Sequence, residues 1–124
     1  MADSLDELRD RLRDFADERD WGKFHTVKNL AMAVAGEAGE LVAELQWQSD
    51  EEIEAHLHHD SQLSGRLSDE LADIAIYLVR LADVCDIDLL EAVAWKIEVN
   101  ETRYPVHLTR GRASKYGELR SRKS

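Results

Sequence analysis

Two segments of this chain, NLAMAVAGEAGELVAEL from Asn29 and LADIAIYLVRLADVC from Leu71, have the spacing of helices and are apolar on nearly every face. A helix buried on every side needs neighbours on every side. The 124 residues are enough for one domain with its own core, but the remaining helices are too few and too polar to surround both segments. A homo-oligomer, dimer or tetramer, with these two helices near its centre is therefore expected.

The rest of the chain also reads as helix, and no segment reads convincingly as a strand. Ser4, with Glu7 three residues on, caps a helix over about 5–19. Asp20-Trp21-Gly22 breaks it, and the first apolar helix follows over about 26–47. Ser49 caps a short polar helix near 50–58, and His59–Gly65 reads as a loop. A fourth helix spans about 66–84. A fifth starts at Asp86 or Asp88 and ends near Tyr104, before Pro105, the single proline. Aromatic content of 6% against 34% charged residues suits this all-α class, a four- or five-helix bundle. Residues 1–106 are expected to form the helical domain, and 107–124 a basic, flexible C-terminal tail.

Charge and cysteine usage narrow the function classes. Formal net charge is −10, which disfavours non-specific binding to nucleic acid. The tail runs the other way: Arg110, Arg112, Lys115, Arg120, Arg122 and Lys123 face a single acid, Glu118. That tail is either a solvated end or a weak draw for nucleic acid. No apolar run reaches membrane-spanning length, and Met1–Asp20 is too charged for a signal peptide. The lone Cys85 leaves no internal disulfide and fits a cytoplasmic setting. Lying late in an apolar helix, it is a packing residue rather than a nucleophile.

The carboxylates are the anomaly. Glu37, Glu40 and Glu44 lie within roughly 80° of one another on the first apolar helix, and Glu70, Asp73 and Tyr77 do the same on the second. No lysine or arginine lies between Asn29 and Gln46 to pair with them. Taken singly, Glu37-x-x-Glu40 and Glu70-x-x-Asp73 are ordinary solvated helix faces. If the two helices pack face to face, four carboxylates meet in an apolar setting. Their repulsion amounts to several kcal/mol at an effective dielectric of about 20. A hard divalent cation removes it, and magnesium is the expected ion. Zinc wants histidine or cysteine at such spacing, and a di-iron bundle wants Glu-x-x-His, which does not occur here. The His56, His58 and His59 patch has no second ligand set and is not taken as a metal site.

Other residues complement the acids. Lys96, Asn100 and Arg103 are spaced i, i+4, i+7 on the fifth helix, either as a routine basic stripe or as receivers of phosphate. Asn29, Gly36, Glu40 and Trp47 share one helix face. Trp47 lies about 10 Å along the axis from Glu40, roughly the reach from a reacting phosphate to a nucleobase. It is either an edge-of-core residue or a stacking platform. Trp21 and His25 lie just upstream, where His25 is either a structural hydrogen-bonder or part of a pocket. A catalytic site, a non-catalytic helical scaffold and a nucleic-acid module using the tail all stay open on these residues alone.

The stretches ERDWGKFHTVKNLAMAVAGEAGELVAELQW, SDELADIAIYLVRLADVCDIDL and KIEVNETRYPV narrow the choice. Together they resemble the MazG-like all-α nucleoside triphosphate pyrophosphohydrolases, over about residues 5–106, and within them the branch that contains dCTP pyrophosphatase. The resemblance implies that Glu37, Glu40, Glu70 and Asp73 are the catalytic acids that bind magnesium. Gly36 stands where many relatives have a glutamate, as it does in the dCTP-like branch. Trp21, His25, Asn29 and Trp47 match positions around base and sugar. Tyr77, Lys96, Asn100 and Arg103 match positions near the phosphates or deoxyribose. The implied reaction cleaves dCTP or a modified dCTP between the α- and β-phosphorus, giving monophosphate and pyrophosphate. Its implied purpose is removal of surplus or modified nucleotides, by a dimer or tetramer.

Overall fold

The computed structural model of the protein describes residues 4–59, 61–113 and 117–118. Among these residues six helices follow in order: α1 (Leu5–Glu18), α2 (Val27–Leu45), α3 (Asp50–His59), α4 (Ser61–Val84), α5 (Leu89–Arg103) and α6 (Val106–Thr109). No strand occurs among the described residues, in keeping with the all-α expectation. Lys115, Arg120, Arg122 and Lys123 of the basic tail lie outside the described residues.

Side-chain caps set the helix starts. Ser4 Oγ accepts the Glu7 N–H at 3.1 Å, Thr26 Oγ1 the Asn29 N–H at 3.1 Å, Ser49 Oγ the Glu52 N–H at 3.2 Å, and Asp88 Oδ1 the Glu91 N–H at 3.0 Å. Each satisfies one of the N–H groups that a first turn leaves without a helical partner. Two helix ends share a second device. Asp20 follows α1 at φ 53° and Asp86 follows α4 at φ 56°, both left-handed. The next residue then bonds back over the last turn: Trp21 N–H to Ala16 O at 2.9 Å, and Ile87 N–H to Ala82 O at 2.8 Å. These are Schellman ends with aspartate where glycine is usual, and each folds an apolar residue back onto its own helix.

The chain divides into two units, Met1–Ile87 and Asp88–Ser124. In the first, the main pairing is α2 against α4, and α1 and α3 also pack on α4. The core is small: Ala16, Leu30, Leu63, Val79 and Ala82 are buried, and Leu30 and Leu63 are each 1% exposed. Met32, Val42 and Leu71, on the two apolar helices, stay exposed in the single chain. The second unit holds α5 and α6. No residue of α5 is buried, and Leu90, Val93, Trp95 and Ile97 are exposed. The boundary expected after residue 106 falls inside this unit.

One expectation about the fold is corrected. The stretch 59–65, read as a loop, is helical at His59 and from Ser61 onward. The small polar run around Ser64-Gly65 suggests a break, and a glycine costs a helix about 1 kcal/mol relative to alanine. Leu63 lies within that run and is fully buried. Burying one leucine is worth about 1.5–3 kcal/mol, which outweighs the propensity. Directly after Pro105 comes the four-residue helix α6, which includes the first residues of the expected tail.

Left-handed backbone at Asp20 has a measurable consequence. A β-branched residue cannot adopt it without strain, so Asp20→Val should lower stability by about 1–2 kcal/mol, whereas Asp20→Gly should be tolerated. Thermal melting of the two variants beside the parent checks this. Equal loss in both would point instead to the exposed Lys23 ion pair at 3.0 Å.

Candidate active site

Where α2 faces α4, the acids meet. Glu37 from α2 and Glu70 and Asp73 from α4 each bring a carboxylate oxygen to within 4.8 Å of the others. Glu37 Oε2 and Glu70 Oε2 are buried, and no hydrogen-bond donor reaches either. The ionised form therefore suffers twice, from lost water and from its neighbours. Glu37 is pushed up from 4.5 to about 7, first by burial, then by a side-chain hydrogen bond with Glu70, then by the charges of Glu40, Asp73 and Glu70. Burial also raises Glu70. Glu40 is exposed and lies outside the close trio, but its charge adds to the upward push on both.

Glu44 has a different fate. Arg66 Nε donates to Glu44 Oε2 at 2.8 Å, so its compensating cation comes from α4, 22 residues away. No cation of α2 could do this, and periodicity along one helix gives no sign of it.

The trio is a set of hard oxygen donors with two oxygens left without hydrogens to accept. That is the chemistry a hard divalent cation satisfies, and it fits magnesium or a similar ion. The histidine patch does not form such a cluster among the described residues. His56 Nδ1 lies 2.7 Å from Gln48 Oε1, and His58 Nε2 lies 3.8 Å from Glu54.

Beside the acids lies a cavity of about 280 Å³, lined by Leu12, Phe15, Trp21, His25, Asp73, Ile76, Tyr77 and Arg80. Asp73 belongs both to this lining and to the acid trio. The Schellman end at Asp20 turns Trp21 onto Phe15, edge to face, with ring centres 5.6 Å apart. His25 follows at 6.2 Å from Trp21. Asn29 Nδ2 donates to the Phe24 carbonyl at 3.0 Å, tying this turn to α2. Asn29 thus has a structural partner of its own.

Arg80 completes the wall and Asp83 bonds to it, and neither stands out in the sequence. Arg80 is 6% exposed. It donates from Nε to His25 Nδ1 at 3.2 Å and from Nη1 to Asp83 Oδ2 at 3.1 Å. Arg13 of α1 clasps the same Asp83 with two bonds, at 3.0 and 2.6 Å. That clasp holds the Asp83 carboxyl below the usual range. Burial, and then the charge of Arg80, lower the His25 imidazole. The signal available in sequence was an i, i+3 pair of opposite charges inside an apolar helix.

The structure brings Trp21, His25, Asp73 and Tyr77 together around one cavity. It does not bring Trp47 there: Trp47 sits in the turn after α2, is 88% exposed, and is absent from the lining. Its shared helix face with Glu40 is a property of spacing, and α2 ends at Leu45, before it. Lys96, Asn100 and Arg103 all lie on α5, in the second unit.

Residues 33–119 match the MazG-like family. The chain is 46% identical over 116 residues to dCTP pyrophosphatase 1 of Bos taurus, covering 94% of this chain and 68% of the relative. It is 42% identical over 116 residues to dCTP pyrophosphatase 1 of Homo sapiens, with the same shares covered. A crystal structure of a pyrophosphatase from Archaeoglobus fulgidus superposes with a TM-score of 0.72 at 45% identity, covering 82% of this chain and 92% of that one.

The raised Glu37 makes metal-free stability depend on pH. Its folded value of about 7 exceeds its unfolded 4.5, so its contribution is full below 4.5 and is lost as pH climbs to 7. His25, lowered on folding, acts in the opposite sense near its ordinary 6.5. The difference between parent and Glu37→Gln isolates the carboxylate. In chelator, Glu37→Gln should melt higher than the parent above pH 7, with the gap closing toward pH 4.5. A gap that does not change with pH would contradict the crowding of these acids.

Proposed function

Because the chain belongs to the MazG-like family and is a nucleoside triphosphate pyrophosphohydrolase, we propose that it cleaves dCTP, or a C5-modified dCTP, to monophosphate and pyrophosphate with magnesium. The observation that carries the metal assignment is the pair of buried, donor-less oxygens on Glu37 and Glu70, next to Asp73. We assign Glu37, Glu40, Glu70 and Asp73 to the ion. Bound there, magnesium would neutralise phosphate charge and acidify an attacking water.

The chain's own residues supply the rest. An acid of the cluster accepts the proton of the water that attacks the α-phosphorus. Phe15, Trp21 and His25 give the cavity an aromatic lining that suits a planar base, with His25 as the hydrogen-bonding group for that base. Asn29 steadies the turn that carries Trp21 and His25. Tyr77, which lines the cavity along with Asp73, suits the deoxyribose. Lys96, Asn100 and Arg103 provide two cations and an amide suited to phosphate oxygens. dCTP is chosen because the curated relatives at 42–46% identity carry that substrate in their names.

Assembly belongs to the same proposal. Apolar residues on α2, α4 and α5 are exposed in the single chain, and an apolar groove of about 490 Å³ between α1 and α4 lies open. A homo-oligomer covers such surface, and Trp47 would then stack on a base in a completed pocket. Residues 107–124 are an appendage to the working domain 1–106. The compartment we assign is the cytoplasm. No helix among the described residues is long and apolar enough to cross a membrane.

Three measurements test this. A panel of nucleoside triphosphates with magnesium should give monophosphate plus pyrophosphate, with dCTP turned over fastest. Faster turnover of purine triphosphates would refute the base assignment alone. Glu40→Ala and Asp73→Ala should each abolish turnover, yet melt no lower than the parent in chelator, since each removes repulsion on Glu37. Light scattering at micromolar concentration should report a dimer or tetramer, and a monomer would overturn the assembly.

A further inference from the structure

Arg80 is the buried charged residue among those described, and it makes a hydrogen bond that determines the state of another side chain. Its guanidinium keeps its protons and can only donate. Nε donates to His25 Nδ1 at 3.2 Å. Nδ1 must therefore present a lone pair, so the neutral imidazole carries its single proton on Nε2. An imidazolium would point a second N–H at the guanidinium and is disfavoured there. Among the described residues no protein acceptor bonds to Nε2, and the ring lines the cavity.

The donor cannot turn away, because it is held from behind. Asp83 accepts from Arg80 at 3.1 Å, and Arg13 of α1 fixes Asp83 with two bonds. Asp83 is itself half-buried, so the pair has little water to exchange with. The backbone of His25 is also anchored, its N–H reaching Trp21 O at 3.1 Å and Gly22 O at 3.2 Å. Both ends of the His25–Arg80 contact are thus fixed to different elements.

We propose that Arg80 is a positioning residue that locks His25 as a neutral Nε2–H donor toward the cavity, selecting a base that presents an acceptor there. Cytosine, thymine and uracil all accept at O2, so the position at which the lock distinguishes them is N3, where cytosine is an acceptor. Thymine and uracil carry a proton on N3, so a fixed donor facing that edge meets another donor. The same lock that favours cytosine therefore rejects the other pyrimidines, and it does so without a charge. The selectivity half rests on the dCTP assignment above, whereas the lock does not.

The test uses the full-length protein in two arms. In the first, ¹⁵N-histidine NMR of nucleotide-free protein reads the His25 tautomer, with His25→Gln identifying its signals. The parent and Arg80→Lys, which keeps a cationic donor, should show Nε2–H. Arg80→Met should show a mixed or Nδ1–H ring. A parent ring protonated on Nδ1, or an unchanged tautomer in Arg80→Met, overturns the lock. Asp83→Asn provides the same reading if Arg80→Met does not fold: loss of the anchor should mix the tautomers, and an unchanged ring again refutes the proposal.

The second arm measures kcat/KM for dCTP and dTTP. Loss of the lock should reduce the dCTP preference on the order of tenfold, mainly through KM, and Arg80→Lys should restore it. A tautomer that shifts while the ratio stays constant refutes the selectivity half. A parent with no dCTP preference refutes the substrate assignment and the selectivity together, while the NMR result still decides the lock.

Discussion

Charge has been placed at the seam between two apolar helices, and most of this molecule can be understood as ways of living with it. The seam between α2 and α4 is the main packing contact of the first unit, and it holds Glu37 and Glu70 partly buried while Glu40 and Asp73 stay exposed. The acids of α2 and α4 meet three different fates. Glu44 takes a cation from Arg66. Asp83 takes two, from Arg13 and Arg80. Glu37 and Glu70 take none, and burial and crowding raise both toward the protonated form. Selection for stability alone would favour pairing or removing those last two. A chain that keeps them unpaired keeps a strong electrostatic demand for a cation.

Much of this was legible in sequence because local chemistry and tertiary structure agree. Ser4 and Ser49 cap the helices they were expected to cap, and of the two candidates for the fifth, Asp86 and Asp88, it is Asp88 that does so. The i, i+3 spacing puts Glu70 and Asp73 on one face whatever the partner helix is, and Glu37 meets them because the apolar residues on both helices drive the pairing. The exposure of so many apolar side chains also follows from segments that are apolar all round.

What could not be read needs a third dimension. The run from Ser61 to Gly65 is polar and small on average, and only the burial of Leu63 makes it helix. Arg66 and Arg80 act on residues 22 and 55 positions away, distances at which a single sequence carries no pairing signal. Trp47 lies beyond the last residue of α2 and outside the lining of the Trp21–His25 cavity, so helical spacing alone does not join it to that cavity within one chain.

Asp73 is common to two neighbourhoods, one wall of the cavity and one corner of the acid trio. Whatever settles in the cavity therefore alters the field felt by Glu37. A guest that offsets the Asp73 charge weakens the hold of Glu37 on its proton, and the proton departs into solution near neutral pH. Linkage is reciprocal, so the affinity for such a guest must grow as pH rises through about 7. Occupancy and proton release are then two readings of one equilibrium, and a calorimeter run in buffers of different ionisation heat can count the proton directly.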